Sequence, residues 1–276
     1  MSGYWTGILG ILCINVIFAY SVFLPAAAGQ LNLGGAGFMA IGAYVAAYGG
    51  TTLGQPIWVT IPAAALVTGI IGFIIAFPIL RTRGVYMVLA TFAFAEIVAG
   101  VIINLKAVGG PAGFEVATFA ALPVLAGVCI ACIALVFYVM STRLGLAIRA
   151  VHDDENVANL FGVHVRWAQV ATFAIGGFLA GIAGALYAHQ YNYVEIQVFN
   201  VLLSIYVLLY VLIGGTQTPF GPLFGAIVFT LLPEAMRGSD SWRFVVFGAF
   251  LVAMMMLRPE GAITRTMIDR LSILRF

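Results

Sequence analysis

Apolar residues run along this chain in long blocks, broken by a few short polar stretches. The blocks fall at about 5–24, 33–50, 57–80, 84–104, 119–141, 167–188, 198–213, 219–235 and 243–257. They are apolar on every face, whereas strands of an outer-membrane barrel would alternate apolar and polar residues at every second position. A helix needs roughly 20 such residues to cross a bilayer. The pattern therefore predicts an all-α, polytopic membrane helical bundle of about 8–10 membrane segments. Length limits the number of crossings rather than the number of soluble domains, so residues 1–276 read as a single transmembrane domain.

Two stretches break the helical pattern at membrane depth: Pro25 to Gly35, containing Gln30, Asn32 and Gly34, and Gly214 to Pro222, containing Gly215 and Thr216. Unwound backbone in lipid is tolerated only where protein or a wet cavity satisfies its N–H and C=O groups. Interrupted helices of this kind frame substrate paths in transporters. They predict one or two interrupted or re-entrant helices, although a short loop between spans, or a tight turn at Gly214–Pro222, is the plainer alternative. Small residues such as Gly177, Ala180, Gly181, Ala183 and Gly184 are spaced for close helix contact.

Charge sharpens this picture. No Asp, Glu, Lys, Arg or His occurs before Arg81 and Arg83. Hydrophobic residues make up 63% of the chain and charged residues 8%, against about 25% charged in soluble domains. The net charge of +2 gives no footprint for nucleic acid. Basic residues cluster at Arg81–Arg83, at Arg143, Arg149 and Arg166, and at Arg258, Arg265, Arg270 and Arg275. An even number of predicted crossings separates the clusters, so the positive-inside rule puts all three in the cytoplasm. Lys106, Glu115, Glu195, Arg237 and Arg243 then lie outside. The N-terminus is outside if the first two blocks both cross and inside if one is re-entrant. It lacks a basic n-region and reads as an uncleaved first span rather than a signal peptide.

Few residues could carry chemistry. Cys13, Cys129 and Cys132 lie in apolar runs, and the Cys129/Cys132 spacing has no second pair or nearby His to complete a metal site. Glu96 sits about 18 Å into its span, where a carboxylate must be paired, protonated or wet. It is either an element of a solute path, with Thr91 and Phe94 nearby in sequence, or an interhelical hydrogen-bonding group. His189 leads into Gln190, Asn192 and Glu195 among Tyr187, Tyr191 and Tyr193, an interfacial polar cluster with an aromatic belt. His152 and His164 fall in a charged loop and read as solvated. Catalytic constellations and a phosphate-binding loop are both missing. The chain thus reads as a non-enzyme that binds no cofactor itself. A membrane enzyme would lack its catalytic cluster. A stand-alone secondary carrier or channel would have only Glu96 as an in-span acid.

The most informative polar stretch is 142–166. It predicts two short helices, the first over about 143–151 and the second capped by Asp153 or Asp154. Glu155 favours the helix N-terminus. Val157, Leu160 and Phe161 then share one face, and Gly162 is placed to stop the helix. An apolar stripe with flanking charge suits docking on a soluble partner. Lying on the membrane surface is the alternative, but three consecutive acids oppose an anionic leaflet.

The stretch Gly145, Arg149, Ala150, Asp153, Asp154, Glu155, Ala158, Gly162 resembles the cytoplasmic coupling segment of permease subunits from branched-chain amino-acid ABC importers. Matching parts occur in order along nearly the whole chain: Gly29-Gln30-Leu31-Asn32-Leu33-Gly34, Gly42-Ala43-Tyr44, Arg83-Gly84-Val85-Tyr86, and Ala90 through Ile97 including Glu96. Gly109-Gly110 with Gly113, Gly214-Gly215-Thr216 with Gly221-Pro222, and Arg258-Pro259-Glu260-Gly261 complete the set. The Phe94-Ala95-Glu96-Ile97 block and the acidic run are similar to the M-type member of the two paralogous permeases. The resemblance implies a homologous second permease, two cytoplasmic ATP-binding subunits carrying ATP and Mg, and an external solute-binding protein, in the inner membrane of a bacterium. It implies that Arg143, Gly145, Arg149, Ala150, Asp153, Asp154, Glu155, Val157, Ala158, Leu160, Phe161 and Gly162 couple to an ATPase. Gln30, Asn32, Gly34, Thr91, Phe94, Glu96, Gly214, Gly215 and Thr216 would line the path, and Gly109, Gly110 and Gly113 would meet the binding protein. Family members often carry Ser at the position of Asn32 and His near Gly35. The departure leaves open whether the solute is a branched-chain amino acid, urea, or an aromatic or carboxylic acid.

Overall fold

A computed structural model describes residues 2–235, 248–249, 252–254, 256–258 and 261–264. Most of the expected 243–257 span and of the 258–276 tail, with Arg237, Arg243, Arg265, Arg270 and Arg275, lies outside these residues. The helices are α1 (Ser2–Ala27), α2 (Gly35–Thr51), α3 (Ile57–Ile79), α4 (Val85–Asn104), α5 (Leu122–Ser141), α6 (Arg143–Asp153), α7 (Glu155–Leu160), α8 (Val165–Tyr191), α9 (Val201–Gly214) and α10 (Phe220–Ala235). Five of them, α1, α3, α4, α5 and α8, are long and apolar enough to cross a membrane. Pro25 does not end α1. The helix continues to Ala27 and unwinds at Ala28, where Gln30 N–H turns back to the Pro25 carbonyl at 2.9 Å.

The hub is α8, which packs against α1, α2 and α3. Its glycines make this possible. A Cβ on Gly181 would collide with the Thr68 hydroxyl and the Ala64 carbonyl of α3, and one on Gly42 would strike the Gly181 backbone. In lipid, where no hydrophobic force draws helices together, such backbone approach supplies the dispersion contacts that hold them. Gly10 lies beside Gln190 and Gly176 beside Ser21, so α1 runs antiparallel to α8. Phe38 meets Phe173 while Gly50 meets His189, so α2 runs parallel to α8. The first two helices therefore run in opposite senses.

The polar loops collect at two ends. Arg81, Arg83 and α6–α7 share one, termed here the basic end. At the other end β1 (Phe114–Glu115) pairs antiparallel with β2 (Tyr193–Val194), close to short 3₁₀ turns at Lys106–Val108 and Gly110–Ala112. One hydrophobic cluster runs through α1–α5 and α8–α10. A small separate cluster of Val151, Ala158 and Ala168 fastens α6 and α7 to the start of α8.

Candidate functional site

At the basic end α6 and α7 form the expected helix pair. Asp154, extended at φ −159° and ψ 115°, caps α7: its Oδ1 accepts from the N–H groups of Asn156 at 2.8 Å and Val157 at 3.1 Å. Gly162 ends the motif at φ +83°. The twelve residues grouped by sequence divide into two sets. Gly145 packs on the Met140 backbone, Arg149 donates to the Met140 carbonyl at 3.3 Å, and Ala158 is buried with Val151. With the half-buried Ala150, these form the scaffold. Arg143, Asp153, Asp154, Val157, Leu160, Phe161 and Gly162 face outward. Leu160 is 86% exposed and Phe161 84%. Glu155 stands between the sets and accepts from Gln169 Nε2 at 2.8 Å. His152 is half-buried, with Nδ1 shielded from solvent, so the expectation of a solvated ring does not hold for it.

The interruption between α1 and α2 is held by side-chain acceptors. Asn32 Oδ1 accepts from Gly34 N–H at 2.7 Å, Thr91 Oγ1 from Leu33 N–H at 3.0 Å, and Ser204 Oγ from Ala36 N–H at 2.8 Å. Three backbone donors of the unwound segment, two of them buried, are thus satisfied by polar side chains, as unwound backbone in a bilayer demands. Ser204 was not singled out by sequence, although the one serine in the Val201–Gly214 run is a usable signal. Phe94 stacks on Phe38 at 4.7 Å and closes over the same segment. Gln30 is 1% exposed, and neither end of its amide has a hydrogen-bond partner among the described residues. An unsatisfied buried amide costs roughly 1–3 kcal/mol.

Glu96 does not join this group. Thr91 and Phe94 point inward, whereas Glu96 is exposed on the opposite face of α4, with Val85, Leu89, Phe92 and Ile103 exposed along the same stripe. It lies eleven residues past Val85, about 16 Å along the helix. In the other sequence-derived stretch, Gly214 and Gly215 are buried and Thr216 is half-buried. Gly214 lies on Gly221, Gly215 takes φ +114°, and the carbonyls of Ile213 and Gly214 accept from Ala262 N–H at 2.7 Å and Ile263 N–H at 3.0 Å. This turn is a clasp for the segment 261–264.

At the opposite end, Gly109, Gly110 and Gly113 all take positive φ in a folded loop, whose Ala112 carbonyl accepts from the Tyr193 hydroxyl. His189 is more than an interfacial group. It is fully buried and bridges Thr60 through Nε2 and Thr118 through Nδ1, both at 2.8 Å, joining α3, α8 and the loop before α5. Sequence reasoning missed those partners because they come from distant elements. It also missed a cleft of about 520 Å³ at the basic end, between Gly29–Gln30, the α3–α4 loop, α7 and the start of α8.

The model of the family described as "branched-chain amino acid transport system / permease component" matches residues 4–257. The high-affinity branched-chain amino acid permease LivM of Escherichia coli K12 is 30% identical over 94% of this chain and 68% of its own length. LivH from the same bacterium is 24% identical over 51% of this chain and 46% of its own length. The nucleoside ABC transporter permease NupB of Lactococcus lactis is 31% identical over 41% of this chain and 32% of its own length. No solved structure matches.

Proposed function

Given that this chain belongs to the branched-chain amino acid permease family and is an ABC importer permease subunit, we propose that it forms half of a gate driven by ATPase subunits at the basic end. In this reading that end is cytoplasmic and the membrane is a bacterial inner membrane. The partners are a homologous second permease, two ATP-binding subunits that hold ATP and Mg, and an external solute-binding protein. This chain contributes no ATPase site. The solute is a branched-chain amino acid or a related small solute; the likeness to a nucleoside permease keeps the class broad.

The observation that carries this reading is the exposed Leu160–Phe161 pair on a capped helix beside the basic clusters. Apolar side chains this open to water, on a helix locked from beneath, fit a groove on a soluble partner. Movement of that partner would pass through Gly145, Arg149 and Ala158 to α5 and α8. The Glu96 stripe supports a path or subunit contact on α4, because an in-span carboxylate with no partner among the described residues has to meet water or protein rather than lipid. Asn32, Gly34, Thr91 and Phe94 then shape the path from behind, by fixing the interruption. The outer loop of Gly109, Gly110 and Gly113 is the candidate surface for the binding protein.

The test is Leu160→Asp with Phe161→Asp in the assembled complex. Permease assembly should persist while solute-stimulated ATP hydrolysis is lost. Unaltered stimulation would remove α7 from the coupling path.

A further inference from the structure

The cleft at the basic end shares α7 with the docking helix above, but its chemistry is distinct. Arg81, Arg83 and Arg166 line it, with His164 beside them. The one acid among its lining residues, Glu155, is already engaged by Gln169 at 2.8 Å. Gln30 closes the wall near the bilayer with its buried, unpartnered amide. Trp167 also lines the cleft, is exposed, and packs against Phe73 and Phe77 of α3 at ring separations of 6.4 and 6.1 Å. From that aromatic ledge an exposed apolar strip, Phe73, Ile74 and Ile70, leads up α3.

We propose that this cleft seats the phosphate headgroup of an anionic phospholipid, with its acyl chains lying along Ile70, Phe73 and Ile74. Three arginines against the single carboxylate of Glu155 leave a net positive cleft that suits a phosphodiester. They oppose a zwitterionic solute, whose ammonium would meet the same three charges. The α3–α4 loop begins just past the end of a spanning helix, so the cleft lies at headgroup depth. A tryptophan at its mouth belongs to the same interface. Basic pockets between membrane helices are recognised sites for anionic headgroups. The Gln30 amide supplies a neutral N–H that the phosphate oxygens can accept once the headgroup enters.

The experiment uses the complex purified through this chain. It is equilibrated in nanodiscs of phosphatidylcholine with or without phosphatidylglycerol, and retained lipid is counted by native mass spectrometry. Phosphatidylglycerol should be retained in preference to phosphatidylcholine. Arg81→Gln with Arg83→Gln and Arg166→Gln should weaken retention on the order of 100-fold, each arginine near a membrane surface contributing about fivefold. Millimolar inorganic phosphate should not displace the lipid. Should the triple variant fail to assemble, Arg83→Gln alone, at an exposed loop position, should weaken retention about fivefold, with Arg83→Lys close to wild type. Equal retention of the two lipids, unchanged retention in the arginine variants, or full displacement by phosphate would each overturn the proposal.

Discussion

Thr91 Oγ1 accepts the backbone N–H of Leu33 at 3.0 Å and donates its own proton to the Val88 carbonyl at 2.9 Å. One hydroxyl thus ties α4 to the interrupted segment 58 residues earlier. Replacing it by a methyl keeps the shape and strands the Leu33 donor. Thr91→Val should lower stability by about 1–3 kcal/mol, and Thr91→Ser should restore most of it. Thermal unfolding of the solubilised protein reads both.

The α3–α8 contact depends on the absence of one atom. Gly181→Ala would drive a methyl into Thr68 and the Ala64 carbonyl, an overpacking cost of about 1–3 kcal/mol. Gly127→Ala on α5 makes the control, because nothing lies within 4 Å of the added carbon. It should be neutral or stabilise by up to about 1 kcal/mol through helix propensity. Similar melting temperatures for the two variants would contradict the packing account.

Asp154 and Glu155 have structural duties as well as charge. Asp154→Ala removes two hydrogen bonds to the first turn of α7, an expected loss of about 1 kcal/mol confined to that helix. Reversing both residues to Lys would break the cap and the Gln169 contact together, and would confuse docking with folding. Hydrogen exchange across residues 155–160 should rise in Asp154→Ala and stay near wild type in Asp154→Asn, since Asn caps comparably.

Glu96 has no partner to lose among the described residues. Glu96→Leu should therefore alter the stability of this subunit by no more than about 0.5 kcal/mol, yet reduce solute uptake by the complex. Normal uptake with normal pairing of the two permeases would return Glu96 to a passive surface role.

How much of this was legible beforehand can be traced residue by residue. The spans follow from uninterrupted apolar length, and α7 from a local cap, a local stripe and a local stop. Leu160, Phe161 and Gly162 follow from local spacing, whereas the cap, open between Asp153 and Asp154 in the sequence, falls to Asp154. Gln30 and Asn32 stood out because they interrupt a helical pattern at membrane depth, and Thr91 only as a neighbour of Glu96. Their roles were harder to read: Thr91 and Glu96 are close in sequence yet on opposite faces of α4, and the carbonyls of Ile213 and Gly214 hold the distant segment 261–264.

The linear order of residues by itself determined that this protein is oily, helical and equipped with a protruding, capped helix between two spans, because each of those properties arises within about 20 residues. Only the tertiary structure decided that Ser204 caps the start of α2, that His189 joins Thr60 to Thr118, and that two arginines of the α3–α4 loop and one from the first turn of α8 line one cleft with Gln30. Those arrangements join residues up to 168 positions apart. They depend on which helix faces approach, and no local periodicity encodes that choice.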